Sequence, residues 1–359
     1  MGKHTALYAK HLESNATLIE IGGWNMPSHY GSASQEHQAV RQHSGMFDVS
    51  HMTIVDVRGL DAEAYLQKLL ANDVTRLADT GKALYSAMLN NNGGIIDDLI
   101  VYNMDGWYRV ISNCITREQA LEWMTAQSKG FEVTLTDRPE LVIIAIQGPD
   151  ALSKVKSVST EAAGLIDSLN PFQSQVKANW FYARTGYTGE EGLEVILPEE
   201  EAADFWQQLL DAGVTPCGLT AADTLRIEAG LNAYGKEMDE STSPLIANMS
   251  KTIAWQPEER HFFGREALEA ELAAGIKLKL VGLILSTDDI MSAEQKVVVE
   301  GLGEGMITSA AFSPTLQSSI AIARVPNDTS EHCQVEVQGQ LINAKVITLP
   351  FVRYGKQQF

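Results

Sequence analysis

The stretch NNNGGIIDDLIVYNMDGWYRVISNC, residues 90–114, contains two apolar runs on either side of the dipeptide Asp105-Gly106. Two such runs around an Asp-Gly dipeptide are typical of an antiparallel hairpin with a two-residue turn. If Asp105 and Gly106 are the central residues of the turn, Met104 pairs with Trp107. The stretch therefore predicts both a pair of strands and their register.

Two adjacent carboxylates lie within the first run of this hairpin. Counting back along the predicted register places Asp98 opposite Asn113 and Asp97 opposite Cys114, so Asp98 and Asn113 are expected to share one face. Because successive strand residues face opposite sides, one aspartate faces inward, and the apolar neighbours do not decide which. A buried carboxylate is costly unless it is hydrogen-bonded, paired or used chemically. The pair is therefore the first candidate site, with a solvated sheet rim as the alternative.

The flanking sequence extends the hairpin into a larger mixed pattern. Residues 82–90 add a strand before it, and residues 141–155 predict a buried strand followed by a helix. A second helix is expected from about Glu199 to Ala212, where apolar residues repeat at helical spacing. From Lys277 onward, short alternating strands with Gly and Pro turns predict an all-β module.

The composition of the whole chain limits the possible classes of function. A length of 359 residues favours two or three domains. The formal net charge of -19 opposes nucleic acids and anionic membranes, so neither is expected as a partner. Three widely spaced cysteines indicate neither a disulfide framework nor a zinc ribbon, and no signal peptide or membrane-spanning run is seen. These features predict a cytoplasmic protein.

The common catalytic and metal-binding motifs are missing from the sequence. His29, His37, His43 and His51 lie in one region, but no pair has the spacing that places two imidazoles on one helical face. No Walker loop, dinucleotide-binding glycine motif or G-x-S-x-G elbow occurs. We therefore expect no metal site.

A glycine-rich segment, RTGYTGEEGLEV at residues 184–195, is the second candidate site. Its three glycines would allow a flat ligand to approach closely, with Tyr187 before the turn and Glu194 on the following strand. An inward glutamate can accept hydrogen bonds side by side from a ring N–H and an exocyclic amine of an aminopyrimidine. The segment is similar to a pterin clamp, and a polar hairpin is the alternative.

Seven blocks of the sequence together resemble one known family. In chain order they are GMFDVSHM (45–52), GGIIDDLIVYN (93–103), IQGPDA (146–151), RTGYTGEEG (184–192), DTLRIEAGLNAYGKEMDE (223–240), FGREAL (263–268) and TSAAFSPTLQSSIAIARVP (308–326). Their sequence and order resemble the aminomethyltransferases, the T proteins of the glycine cleavage system. The blocks are spread over nearly the full length, so the resemblance includes every proposed domain.

The resemblance implies a fold as well as an activity. It implies an α+β fold in which three domains form a cloverleaf of antiparallel sheets with packed helices around a central folate channel. The first, discontinuous α+β domain is then expected to comprise residues 1–48 and 138–240. The second α+β domain is expected to comprise residues 49–137 and 241–275, and a C-terminal all-β, barrel-like domain residues 276–359.

The reaction implied by the resemblance moves the methylene of an S-aminomethyl-dihydrolipoyl group to tetrahydrofolate, with release of ammonia. The aminomethyl group is carried by lipoylated H protein, and tetrahydrofolate is a co-substrate. Asp98 matches the family's catalytic aspartate. The positions that match folate-binding residues are Glu194 and Tyr187 at the pterin, Tyr85, Asn113 and Tyr234 along the channel, and Met52 and Tyr102 as apolar walls.

One position departs from the family pattern. Ala222 stands where members commonly have an arginine of the substrate site, and Arg226, one helical turn later, is a possible replacement. This departure leaves open a tetrahydrofolate-dependent demethylase of a small methylated metabolite. A non-catalytic folate-binding module is a further alternative, although its K-G-C-Y signature is replaced here by RTGY.

Overall fold

The computed structural model describes residues 2–287 and 289–359, which form a mixed α+β fold. This confirms the expected fold class. The α-helices of these residues are α1 (Tyr8–Glu13), α2 (Ala33–Gln42), α3 (Ala62–Leu69), α4 (Arg117–Gln127), α5 (Ala151–Val158), α6 (Ala163–Ser168), α7 (Glu199–Asp211), α8 (Leu219–Glu228) and α9 (Arg265–Ala274).

The strands are more numerous than the helices in the described residues. They are β1 (Thr17–Ile21), β2 (Trp24–His29), β3 (Gly45–Asp48), β4 (Thr53–Arg58), β5 (Ala83–Leu89), β6 (Ile95–Asn103), β7 (Tyr108–Ser112), β8 (Thr134–Asp137), β9 (Leu141–Gln147), β10 (Ser174–Lys177), β11 (Trp180–Ala183), β12 (Gly192–Pro198), β13 (Thr215–Pro216), β14 (Leu278–Leu285), β15 (Lys296–Val299), β16 (Gly303–Ser313), β17 (Ser318–Pro326), β18 (His332–Val337), β19 (Gln340–Ile347), β20 (Val352–Arg353) and β21 (Lys356–Gln357).

The chain divides into two compact units. Unit 1 comprises residues 1–65, 74–84 and 99–225, and unit 2 comprises residues 66–73, 85–98 and 226–359. Strands β5 and β6 pass from one unit into the other. The three-domain division therefore stays a prediction.

Unit 1 contains a six-stranded sheet with the order β10-β11-β12-β9-β3-β13. Strand β9 is the buried strand predicted from its apolar run. Leu193 and Val195 of β12 pack with α5, α6 and α7, whereas Ile196 packs in a cluster on the opposite face. Because strand residues alternate, Glu194 shares the face of Ile196, away from these helices. The side chain of Glu194 is thereby directed to the side opposite the helical layer.

The hairpin of β6 and β7 has the register predicted from the sequence. Within unit 1, Leu99 pairs with Ser112, and the same register continues to the turn. Asp105 and Gly106 have φ angles of 65° and 83°, as a two-residue primed turn requires. The pairing of residues 98 and 113 is the next step of this register and stays a prediction.

The face of the sheet that carries Glu194 packs against an apolar cluster, which is also formed within unit 1. Ile54 of β4, Tyr102 of β6 and Ile111 of β7 pack with Phe181 and Ile196 in one buried cluster. Strands from two sheets thus enclose a common apolar layer. We call this layer the intersheet cluster.

Unit 2 contains a closed barrel of six strands in the order β14-β17-β16-β15-β18-β19. The predicted C-terminal all-β module is confirmed, and its interior is filled by small and branched apolar side chains such as Leu283, Ile307 and Val335. A second cluster of unit 2 contains Leu89 and Ile95 with partly buried tyrosines at its edge. None of the helices in the described residues has the length and apolarity needed to cross a bilayer.

Candidate active site

The two adjacent aspartates of β6 differ in their burial. Asp97 is 0% exposed, whereas Asp98 is partly exposed. The Asp97 Oδ1 accepts a hydrogen bond of 2.9 Å from the backbone N–H of Asp98. Asp97 is therefore the inward carboxylate, and Asp98 is the one that a ligand can reach.

Asp98 is held from the neighbouring strand in unit 2. The hydroxyl of Tyr85 on β5 donates to Asp98 Oδ2 at 2.8 Å. A hydrogen bond to an ionised carboxylate is shorter and stronger than one between neutral groups, so it fixes the direction of the Asp98 side chain. The tyrosine ring packs at the edge of the second apolar cluster of unit 2, which restricts its own movement.

Tyr234 lies in the same cluster of unit 2. Its hydroxyl donates to the backbone oxygen of Ile95 at 3.0 Å. Burial raises the pKa of Tyr234, and the nearby carboxylates of Asp97 and Glu240 raise it further. Tyr234 is therefore a neutral phenol at physiological pH, beside the aspartate pair.

Glu194 is held within unit 1 by a threonine. The hydroxyl of Thr185 donates to Glu194 Oε2, and the hydroxyl of Tyr102 lies 3.1 Å from Thr185 Oγ1. Burial raises the pKa of Glu194, and the hydrogen bond from Thr185 opposes this rise. Glu194 is nevertheless partly exposed, whereas its chain neighbours Leu193 and Val195 are buried.

Two glycines of this segment lie against a glutamine side chain. A Cβ atom at Gly186 would lie 2.0 Å from Gln147 Oε1, and one at Gly192 would lie 2.3 Å from Gln147 Nε2. The two glycines therefore make room for the Gln147 side chain. Gln147 in turn donates to the carbonyl of Thr185 at 3.1 Å and accepts from Thr188 at 2.9 Å. The sequence analysis missed this glutamine.

A buried arginine fixes the rest of the glycine-rich segment. Arg41 of α2 donates to the carbonyl of Thr188 and to Glu190 Oε1, each at 2.7 Å. Both side chains of this ion pair are buried, so its hydrogen bonds are not weakened by competition with water. Tyr187, which directly precedes Thr188, is 42% exposed.

The other predicted residues of unit 1 occupy two places. Met52 packs against the intersheet cluster that contains Tyr102. Asn113 follows β7, and its carbonyl oxygen lies within 3.3 Å of the hydroxyls of Thr53 and Thr116. Unit 1 thus groups Met52 and Tyr102 with Glu194, and unit 2 groups Tyr85 and Tyr234 with Asp98.

Arg226, the possible replacement for the arginine that the family has at position 222, is engaged in internal hydrogen bonds of unit 2. Its guanidinium donates to Glu237 at 2.8 Å, to Ser309 at 2.6 Å and to the carbonyl of Leu231 at 3.1 Å. The side chain is 1% exposed, so these internal hydrogen bonds occupy it. Ala222 packs beside an apolar cluster of unit 1.

Metal binding has no support in the described part of the chain. Residues 2–287 and 289–359 contain no group of three or more His, Cys, Asp or Glu side chains that could hold a metal ion.

Comparison with known proteins shows matches along the whole chain. Residues 7–257 match the GCVT N-terminal domain, and residues 279–353 match the glycine cleavage T-protein C-terminal barrel domain. An aminomethyltransferase of Chromobacterium violaceum is 53% identical over 357 residues, which are 99% of each chain. The crystal structure of the glycine cleavage system aminomethyltransferase T from Bartonella henselae matches with a TM-score of 0.93 and 30% identity, over 100% of both chains.

Proposed function

The chain belongs to the glycine cleavage T-protein family of aminomethyltransferases, and on that premise we propose the full reaction that it catalyses. It transfers the methylene of an S-aminomethyl-dihydrolipoyl group on lipoylated H protein to tetrahydrofolate and releases ammonia. The observation that supports this proposal most directly is the partly exposed Asp98 carboxylate, which the Tyr85 hydroxyl orients.

We propose that Asp98 is the catalytic residue. Departure of ammonia or thiol leaves positive charge on the transferred carbon, and a fixed carboxylate stabilises that charge as it develops. The same carboxylate can accept a proton from the attacking amine of the folate. Because Tyr85 holds Oδ2, the charge is already oriented before the substrate arrives, so little reorganisation is needed during the reaction.

Glu194 provides the chemistry that a reduced pterin requires. The ring presents an N–H and an exocyclic amine side by side, and a carboxylate can accept from both. The hydrogen bond from Thr185 is accepted by Oε2, so Oε1, with its two lone pairs, remains to accept from the ligand. The residues fit tetrahydrofolate as the co-substrate, with Glu194 as the group that orients the ring.

The remaining assignments follow from the family and from the placement of the side chains. We propose that exposed Tyr187 contacts the pterin and that Met52 contributes an apolar wall. Asn113 and Tyr234 are proposed to line the folate site. Tyr102 shares the cluster of Met52, but it is fully buried.

The partners proposed here are H protein and folate, and the proposed location is the cytoplasm. The three-domain division stated above is also kept as a proposal. Ala222 stands where the family commonly has a substrate-site arginine, and this replacement is expected to weaken substrate binding without changing the reaction. The reason is that Glu194 recognises the pterin and Asp98 supplies the catalytic charge.

The proposal is tested by ammonia release from aminomethylated H protein, measured with and without tetrahydrofolate. We expect release that depends on both substrates. Methylated small donors such as N-methylated amino acids are assayed in parallel. Release that requires neither H protein nor folate, or methyl transfer from the small donors alone, would contradict the proposal.

A further inference from the structure

We propose that Tyr102 and Thr185 are positioning residues: their hydroxyls form a one-way hydrogen-bond chain that fixes Glu194 through Oε2 and leaves Oε1 for N–H donors of the ligand. The inference rests on the proposed function, because the ligand in question is the pterin ring of folate. Tyr102 then acts through Thr185 rather than as a wall that touches the ring.

The direction of the chain follows from proton counting. A threonine hydroxyl has one proton, and the Thr185 proton is donated to Glu194 Oε2. Thr185 Oγ1 can therefore only accept from Tyr102, whose hydroxyl lies 3.1 Å away. Successive hydrogen bonds of one direction polarise one another, and a chain that ends on an acceptor favours the ionised carboxyl. The ionised form is the one that accepts from two ligand donors.

Both hydroxyls are held by their surroundings. Tyr102 is 0% exposed, and its ring meets the Phe181 ring edge to face with centroids 5.0 Å apart. Thr185 is buried, and Gln147 Nε2 donates to its carbonyl at 3.1 Å. The hydroxyl of Tyr102 cannot turn toward water without disturbing the intersheet cluster.

Among the residues that the structure describes, none donates a hydrogen bond to Oε1 of this carboxyl. Within residues 2–287 and 289–359, the hydrogen bond from Thr185 is the one that the Glu194 carboxyl accepts. The cross-strand neighbours of Glu194 are Ala145 on β9 and Ala183 on β11, which carry no charge. The titratable group that faces Glu194 is Tyr102, which burial keeps neutral by raising its pKa. Oε1 can therefore accept hydrogen bonds from a ligand.

The first test compares Thr185→Val with Thr185→Ser. Valine has nearly the same shape as threonine and lacks the hydroxyl, whereas serine keeps it. We expect Thr185→Val to weaken folate binding about tenfold, as loss of a hydrogen bond to a charged group does, with kcat at saturating folate changed by less than a few-fold. Thr185→Ser restores the affinity. Wild-type affinity in Thr185→Val would overturn the proposal.

The second test needs no ligand. Removal of the Thr185 hydroxyl leaves burial unopposed, so the pKa of Glu194 rises further above its wild-type value. Titration of the Glu194 carboxyl carbon by NMR in the unliganded protein measures this change. An unchanged pKa in Thr185→Val would overturn the hydrogen-bond chain even if folate is not the substrate. Failure of wild-type protein to bind folate would instead contradict the proposed function.

Tyr102→Phe has a matched control in Tyr65→Phe. Tyr65 is also a nearly fully buried tyrosine of unit 1, and its hydroxyl donates to the carbonyl of Met124 at 2.8 Å. Both variants are expected to lose stability, but only Tyr102→Phe is expected to weaken folate binding, by a few-fold. An equal loss of affinity in Tyr65→Phe would show a general packing effect and would overturn the role of Tyr102.

Discussion

Asp98 in unit 2 and Glu194 in unit 1 are both held by hydroxyl groups, but in different ways. Asp98 accepts directly from Tyr85, which lies on the adjacent strand and is 13 residues away in the sequence. Glu194 accepts from Thr185, which is in contact with Tyr102, 83 residues away from that threonine. The first arrangement is local to one pair of strands, whereas the second requires the packing of two sheets.

This difference matches the two tasks proposed for the carboxylates. A reacting charge needs a fixed position and access to substrate, and one hydroxyl from a neighbouring strand provides both. A recognition group must keep an unsatisfied acceptor in a dry site, where an unpaired polar atom is costly. The intersheet cluster of unit 1 supplies apolar surroundings on the face of the sheet that carries Glu194.

The largest effect is expected for Asp98→Asn. Asparagine keeps the shape but removes the charge, so kcat should fall by about 100-fold or more while the dissociation constant for folate changes by a few-fold. Steady-state ammonia release and fluorescence titration measure the two quantities. Asp97→Asn is the neighbouring control. Because Asp97 is buried, the main effect of this substitution should be a lower unfolding midpoint and not a lower kcat. Unchanged turnover in Asp98→Asn would remove this residue from the mechanism.

Glu194→Gln should show the opposite pattern. The amide presents an NH2 group to ligand donors and has one acceptor oxygen instead of two, so the folate dissociation constant should rise about 10-fold or more. At saturating folate, kcat should stay within a few-fold of wild type. Titration of folate fluorescence at fixed pH measures the change. Wild-type affinity would disprove the clamp.

Tyr85→Phe is expected to have a smaller effect, of the same kind as Asp98→Asn. Loss of a hydrogen bond to a charged group costs about 1.5 kcal/mol, which corresponds to about a tenfold fall in kcat, with folate affinity retained. The double variant Tyr85→Phe/Asp98→Asn tests whether both act as one unit. A further full tenfold loss in the double variant would show that Tyr85 acts independently of Asp98.

The smallest effect is a shift in pH dependence. Burial raises the pKa of Glu194, so its carboxyl is protonated at a higher pH than an ordinary glutamate. The protonated form loses an acceptor, so folate affinity should fall on acidification, beginning at a higher pH than for an exposed glutamate. Glu194→Gln should lack this component. An identical pH profile in wild type and Glu194→Gln would contradict the assignment.

The sequence was sufficient for the features that depend on neighbouring residues. The Asp105-Gly106 turn predicted the register of β6 and β7, because a two-residue loop determines which residues pair. The short alternating runs after Lys277 predicted the barrel strands. Both inferences used spacing within a few residues, which the chain itself constrains.

The features that depend on distant packing could not be predicted. Both faces of β6 carry apolar residues, so the sequence does not decide which aspartate is buried. The structure shows that it is Asp97. Thr185 gives no sequence signal, because its contact with Tyr102 depends on how two sheets pack. The need for glycine at positions 186 and 192 could not be predicted either, because it comes from the Gln147 side chain of β9, against which both residues lie.

The most direct test of the account measures kcat and folate affinity together in Asp98→Asn and Glu194→Gln, on preparations shown to be equally folded. The account predicts that Asp98→Asn loses turnover and keeps affinity, while Glu194→Gln loses affinity and keeps turnover at saturating folate. If both variants lose the same quantity, or if Asp98→Asn turns over at the wild-type rate, the proposed division between the two carboxylates is wrong.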